Sequence, residues 1–303
     1  MGGNIFDKAA PIKKEHIEPT LEMFYQQLGS VFPNAKKHFK GIRTLGSVGK
    51  KDFSGDIDLA LSGKVFKRIE DWNLEEDKTQ ELFKKFKKRA RTATDKQLIK
   101  RAIIVGIADI LDASNTDIKV DTKGSGSGAL FLSFPQFNED KEKLPEDVQI
   151  DINVGDVDWL SFAYYSSIYK GNVKGLHRTQ LMLALFTNKG YTFSHNYGVK
   201  SKETQEIVAK TPREAIELLS NLYNAEFTEQ ILEDYFKLFE FLKNNLDKDE
   251  LEDILDIYIK ILDRTRADVP EDLQKYWVDN QERLKLTGKF LPDDSKLAPF
   301  KNQ

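Results

Sequence analysis

Cysteine is absent from the 303-residue chain, which excludes disulfide bonds and thiolate metal sites. No apolar run approaches the roughly 20 residues that a membrane-spanning helix needs, and the first residues show no signal-peptide pattern. The formal net charge of −3 gives no overall attraction to nucleic acid, so contact with a polyanion requires a local basic patch. We therefore expect a cytoplasmic protein that makes no contact with a membrane.

The order of apolar patterns predicts an α/β fold: a mixed sheet with helices on one side, followed by a helical region. Apolar side chains at a spacing of three or four residues favour helices, and alternation between apolar and polar residues favours strands. Helices are expected at 13–32, 74–91, 95–112 and 157–188 and from Pro212 onward; strands are expected at 41–47, 55–62, 117–122, 129–134, 148–154 and 191–199, with polar connections at 123–128 and 138–147.

An Asp-x-Asp pattern lies in the second predicted strand. Alternate residues of a strand share a face, so Asp56 and Asp58 point the same way, roughly 6–7 Å apart, while Ile57 and Leu59 face a core. Two adjacent carboxylates repel each other, and a hard divalent cation such as Mg²⁺ removes that repulsion while it binds substrate phosphates. A lone Asp-x-Asp more often lies on a solvated strand, so the interpretation depends on what accompanies it.

A Gly-Ser turn and a third aspartate accompany the pair. Gly46-Ser47 ends a strand in a turn whose N–H groups and hydroxyl suit a phosphate. Asp151 shares the polar face of a later strand, and if the two strands are neighbours, the three carboxylates hold two Mg²⁺ or Mn²⁺ ions about 3.5–4 Å apart. The residues predicted to hold the triphosphate or to shape its turn are Gly46, Ser47, Lys50, Lys51, Ser54 and Gly55.

With these residues, the chain resembles the X-family DNA polymerases of the DNA polymerase beta superfamily. The catalytic palm of that family carries Gly-Ser, a basic turn and Ser-Gly-Asp-x-Asp, as Gly46-Ser47 and 54–58 stand here, and its third carboxylate lies in an Ile-Asp-Ile strand, as in 150–152. The segments 164–171 and 177–192 resemble the tyrosine-rich helix, the minor-groove helix and the hairpin that follow in the family. This part of the resemblance implies nucleotide contacts for Tyr169, Gly171 and His177, with a capping or packing role as the alternative for His177.

The order of the predicted elements indicates three domains, and the resemblance implies one reaction. The domains are an N-terminal helix at 1–40, a nucleotidyltransferase palm at 41–204 with a basic helical insertion at about 72–112, and a helical domain at 205–303. The reaction is transfer of a nucleoside monophosphate from an NTP or dNTP to a nucleic-acid 3′-OH, with Asp56 and Asp58 binding both metal ions and Asp151 the ion that activates the acceptor.

The acceptor is less defined than the reaction. Gln180 and Leu183 stand where the family offers basic residues to a primer–template, so we expect template-independent or weakly templated transfer. Alternatives are transfer to the 3′ end of tRNA or another RNA, transfer to a protein or small molecule, and a catalytically silent binding module.

One basic run has two interpretations of equal weight: a solvated helix face, or a surface that binds the nucleic-acid backbone. Its predicted nucleic-acid-binding residues are Lys84, Lys85, Lys87, Lys88, Arg89 and Arg91.

Overall fold

The computed structural model describes residues 5–90, 93–126, 128–168 and 173–279, without the side chains of 277–279. The chain divides into two compact units, 1–161 and 162–303. Within the described part of the chain, no helix has the length and apolar character needed to cross a membrane.

A mixed five-stranded sheet lies at the centre of the first unit. The strands of this unit are β1 (Ile12–Lys13), β2 (Arg43–Thr44), β3 (Phe53–Ser54), β4 (Ile57–Ser62), β5 (Lys119–Val120), β6 (Ala129–Phe137) and β7 (Lys143–Gly155). The sheet has the order β2-β4-β7-β6-β5, in which β4 and β7 are parallel and all other neighbours are antiparallel. The remaining strands, β1 and β3, pair in a separate two-stranded ribbon.

Helices cover the apolar face of this sheet. The first unit contains the helices α1 (Lys14–Val31), α2 (Lys36–Phe39), α3 (Gly63–Phe66), α4 (Glu76–Arg89) and α5 (Asp95–Asp112), and α6 (Val157–Ala163) spans its boundary. Phe24 of α1 and Ile104 of α5 are fully buried in one core with Leu59 of β4 and Ile150 of β7. The start of α5 is fixed locally, because Thr94 and Gln97 satisfy each other's backbone N–H groups in a capping box.

The second unit combines helices with a three-stranded antiparallel sheet of order β10-β9-β8. Helix α7 packs against α11, and Pro212 opens α8 after the N-cap residue Thr211, a preferred place for proline. The elements are α7 (Gly175–Asn188), β8 (Tyr191–Ser194), β9 (Gly198–Ser201), β10 (Ile207–Ala209), α8 (Pro212–Tyr223), α9 (Glu229–Leu232), α10 (Tyr235–Asn245), α11 (Lys248–Thr265) and α12 (Glu271–Asp279).

The predicted α/β class and mixed sheet are confirmed, whereas several element boundaries were wrong. The strand expected at 41–47 is only two residues long, because Gly46 has a φ of +63° and the chain turns there. The connection expected at 138–147 belongs in part to β7, since Lys143 pairs with Phe137 across a tight turn. The helix expected at 157–188 is two helices, with non-helical residues at 164–168 and 173–174 between them.

The division into compact units is separate from the predicted domain limits. It falls at 161/162 rather than at 40/41 and 204/205. The N-terminal helix α1 packs on β6, and α7 packs on α11, so each joins the unit of its partner. The predicted domains describe functional parts of the chain and stay a prediction.

Candidate active site

The three predicted catalytic aspartates lie on two adjacent strands of the first unit. Strands β4 and β7 run parallel, and their register pairs Asp58 directly with Asp151. Asp56 lies two residues before Asp58, in the bend that precedes β4. Because the neighbouring strands of a sheet are about 4.8 Å apart, this register brings the three carboxylates to one patch of the sheet.

The apolar residues of the same strands explain why the aspartates share a face. Ile57 and Leu59 on β4 are fully buried, as is Ile150 on β7, whereas Asp58 and Asp151 are half-buried. Side chains of a strand alternate between its faces, so burial of the isoleucine and leucine residues under the helices turns the aspartates to the other face. The sequence pattern therefore predicted this orientation correctly.

The electrostatics of the patch disfavour three negative charges. Burial raises the pKa of Asp58 to about 7, with further increases from the charges of Asp56 and Asp151. Burial likewise raises the pKa of Asp151 to about 7, opposed by a hydrogen bond from Gln149 and assisted by Asp56. The pKa of Asp56 is also raised, again by burial. A nearby cation would relieve this cost, because it favours the ionised form of each carboxyl group.

Two side-chain amides of β7 bind these carboxylates. The Nδ2 of Asn153 donates to Oδ1 of Asp58 at 3.3 Å. The Nε2 of Gln149 lies 2.9 and 3.1 Å from the two carboxylate oxygens of Asp151. Both amides are buried, so each carboxylate has a fixed donor on the same polar face of the sheet.

The Gly-Ser turn leaves the sheet beside the aspartates. The N–H of Leu45 donates to the carbonyl of Asp58 at 2.8 Å, so the turn begins directly across from β4. The N–H of Gly49 donates to Oγ of Ser54 at 3.3 Å and closes the loop. Among the described residues, no acceptor lies on the N–H groups of Gly46 and Ser47. These two donors are therefore available to a phosphate.

The other predicted residues of this loop differ in their exposure to solvent. Lys50 is exposed, Lys51 is half-buried, and Gly55 is exposed next to the first aspartate. Ser54 is buried, and its Oγ accepts the N–H of Gly49 across the loop.

The donor set suits a hard cation in its chemistry. Carboxylate oxygens are the ligands of Mg²⁺ and Mn²⁺, and a bound cation would offset the burial that raises the pKa values of Asp58 and Asp151. As the side chains stand, no group of three or more His, Asp or Glu residues in the described segments has the arrangement of a metal site. The fit of a metal ion therefore depends on donor type and charge, and Asp56, Asp58 and Asp151 are the residues that would hold it.

His177 lies in the second unit and is engaged with backbone. Its Nδ1 accepts from the N–H of Lys174 at 2.8 Å, and its Nε2 lies 2.8 Å from the carbonyl of Asp268. Burial lowers its pKa, which favours the neutral ring. This arrangement corresponds to the capping alternative, and both ring nitrogens are already used.

The predicted basic track is exposed on α4. Lys84, Lys85, Lys88 and Arg89 are exposed, as is Lys87, which pairs with Asp95 at 3.1 Å. The helix thus presents an excess of positive charge to solvent. The remaining predicted residues, Arg91, Tyr169 and Gly171, lie outside the described residues.

Sequence reasoning missed Gln149. The signal was present, because Gln149 lies two residues before Asp151 and therefore on the same face of the strand. An amide two positions from a carboxylate has no distinctive spacing in a sequence. Only the contact distances identify Gln149 as a partner of Asp151.

Comparison with known proteins adds no family to this geometry. No family model matches the chain, and no curated protein matches it. The polymerase-like motifs therefore remain a resemblance.

Proposed function

We propose that this protein is a metal-dependent nucleotidyltransferase that moves an NMP or dNMP from a nucleoside triphosphate to a hydroxyl and releases pyrophosphate. The observation that carries the proposal is the parallel register of β4 and β7, which pairs Asp58 with Asp151. The unused N–H groups of Gly46 and Ser47 at the same edge of the sheet support it. Carboxylates beside a phosphate-binding turn are the components that two-metal phosphoryl transfer requires.

Each group has one role in the proposed reaction. The N–H groups of Gly46 and Ser47, with Lys50 at the rim, bind the triphosphate and orient its α-phosphorus toward the aspartates. Asp56 and Asp58 would hold two divalent ions, and Asp151 would bind the ion that activates the acceptor hydroxyl. When bound, such ions lower the pKa of an attacking hydroxyl and neutralise the leaving pyrophosphate.

A nucleic-acid 3′-OH is the proposed acceptor. The support is the exposed basic face of α4, which suits a phosphate backbone and lies on the chain between β4 and β7. Template-independent or weakly templated extension is the leading form, and addition to the 3′ end of tRNA or another RNA is the second candidate. Transfer to a protein or small molecule would not use this basic face.

The test combines the purified full chain with Mg²⁺ or Mn²⁺ and each labelled NTP and dNTP. Separate reactions offer a DNA primer, a primer–template, tRNA and no nucleic acid. We expect extension products with a nucleic-acid acceptor, absent in Asp58→Ala and retained in Asp140→Ala, a matched change at an exposed turn.

Two results would contradict the proposal in different ways. Metal-dependent NTP binding without any product on nucleic acid would exclude the acceptor but keep the site. Equal product formation by Asp58→Ala would exclude the site itself, because no reaction through this patch can survive loss of that carboxylate.

A further inference from the structure

Gln149 is a buried amide with two different partners. Its side chain is 2% exposed. Its Nε2 contacts both oxygens of Asp151 at 2.9 and 3.1 Å, and its Oε1 accepts the backbone N–H of Ile5 at 3.2 Å. The two contacts fix the orientation of the amide, because a backbone N–H can only donate and an ionised carboxylate can only accept.

This contact turns Asp151 toward the rest of the aspartate patch. The registered pairs of the parallel strands begin with Ile57 and Ile150, so Asp56 and Gln149 occupy corresponding positions one residue earlier. A carboxylate held by Gln149 is therefore directed toward Asp56.

The N-terminal segment, residues 5–11, holds Gln149 from the other side. The N–H of Ala10 donates to the carbonyl of Asp147 at 2.9 Å, and the N–H of Asp147 donates to the carbonyl of Lys8 at 3.3 Å. These bonds lay the segment along β7 and bring the N–H of Ile5 to Gln149. The buried amide of Gln136 also donates to the carbonyl of Ala10 at 3.2 Å.

We propose that Gln149 is a positioning residue for the third metal ligand, and that the amide of Ile5 fixes Gln149 in turn. The inference rests on the proposed function, since it assigns Asp151 a metal ion. A partner that orients a metal ligand changes metal affinity without touching the ion, and its loss costs about 10–100-fold. The N-terminal segment is thus part of the active site through one hydrogen bond.

Mn²⁺ binding to the full chain tests this directly, with free Mn²⁺ followed by electron paramagnetic resonance. Gln149→Met keeps the length of the side chain and removes both hydrogen bonds. We expect Mn²⁺ to bind this variant about 10–100-fold more weakly, with a lower kcat and an unchanged KM for the nucleotide. Gln136→Met is the matched control, because it removes a buried amide of β6 that contacts the N-terminal segment but no aspartate of the patch. Its Mn²⁺ affinity should stay within about twofold of the wild type.

Ile5→Pro provides a second, milder variant, because it removes the N–H that holds Gln149 and leaves the Gln149 side chain in place. We expect this variant to bind Mn²⁺ several-fold more weakly. Asp7→Pro is its control and should show no loss, because position 7 lies in the turn closed by Ala9 and Phe6 and accepts proline.

Unchanged Mn²⁺ binding in Gln149→Met, or an equal loss in Gln136→Met, would overturn the inference alone. A wild type that binds no Mn²⁺ would overturn the metal site of the proposed function and this inference together.

Discussion

Replacing Asp58 by asparagine is expected to stabilise the metal-free protein near neutral pH. Burial, with the charges of Asp56 and Asp151, raises the pKa of Asp58 from 3.8 to about 7 in the folded state. The folded state then holds a proton that the unfolded state has released, so the free energy of unfolding falls as the pH rises from about 4 to 7. Asparagine carries no such proton and keeps an acceptor for Asn153.

The size of this loss of stability follows from the pH interval between the unfolded and folded pKa values of Asp58. This interval spans about 3 pH units, and 1 unit corresponds to about 1.4 kcal/mol, so the full penalty is about 4 kcal/mol above pH 7. About 2 of those units lie above pH 5. The advantage of Asp58→Asn should therefore grow by about 2–3 kcal/mol between about pH 5 and pH 8.

Urea unfolding with a chelator, at both pH values, measures this difference. Asp140→Asn is the control, because it makes the same change at an exposed position and should show no growth with pH. Added Mg²⁺ at about pH 8 should stabilise the wild type and have little effect on Asp58→Asn, since a ligand stabilises only the form that binds it. An equal effect of Asp58→Asn at both pH values would refute the reasoning.

Three further outcomes are expected. Ser47→Ala should raise the KM for the nucleotide about 10-fold with little change in kcat, because it removes one hydrogen bond to a charged phosphate; steady-state kinetics measures the split. Lys88→Glu should weaken binding of a single-stranded oligonucleotide and reduce the steepness of the plot of log K against log salt concentration by about 0.7 or more. The control Lys237→Glu should change neither quantity. Burial lowers the pKa of His195 to about 4, so the unfolded state binds more protons below pH 6.5 and stability falls by about 2–3 kcal/mol toward pH 4. His195→Phe should reduce that fall in an acid-unfolding series.

The aspartate patch was largely predictable from sequence because its signals are local. Alternation between Ile57, Leu59 and the aspartates fixes which face each side chain takes, whatever the surrounding fold. The sequence did not predict that β4 and β7 are neighbours; the expected site assumed it. Their adjacency depends on a pairing across about 90 residues of sequence, and no local pattern encodes a partner so distant.

The contacts that modulate the patch were not predictable for a related reason. Gln149 binds a backbone N–H from Ile5, 144 residues away in sequence, and its donor to Asp151 is visible only once the amide orientation is known. The errors in the predicted strand boundaries have local causes that amino-acid composition does not reveal. Gly46 turns the chain at a positive φ, and the polar start of β7 is ordered by pairing with β6 rather than by burial.

The apolar face of the sheet, rather than the aspartates, holds the register on which the proposed chemistry depends. A slip of one residue between β4 and β7 would move Asp151 into the core and Ile150 out of it. Burial of Ile150 opposes that slip by roughly 2 kcal/mol or more, whereas ionised Asp58 and Asp151 each cost stability near neutral pH. Substitutions of the aspartates should therefore remove activity and leave the fold intact, while Ile150→Ala should destabilise the fold by about 2–5 kcal/mol. Activity lost together with folding in the aspartate variants would contradict this division of roles between the two faces.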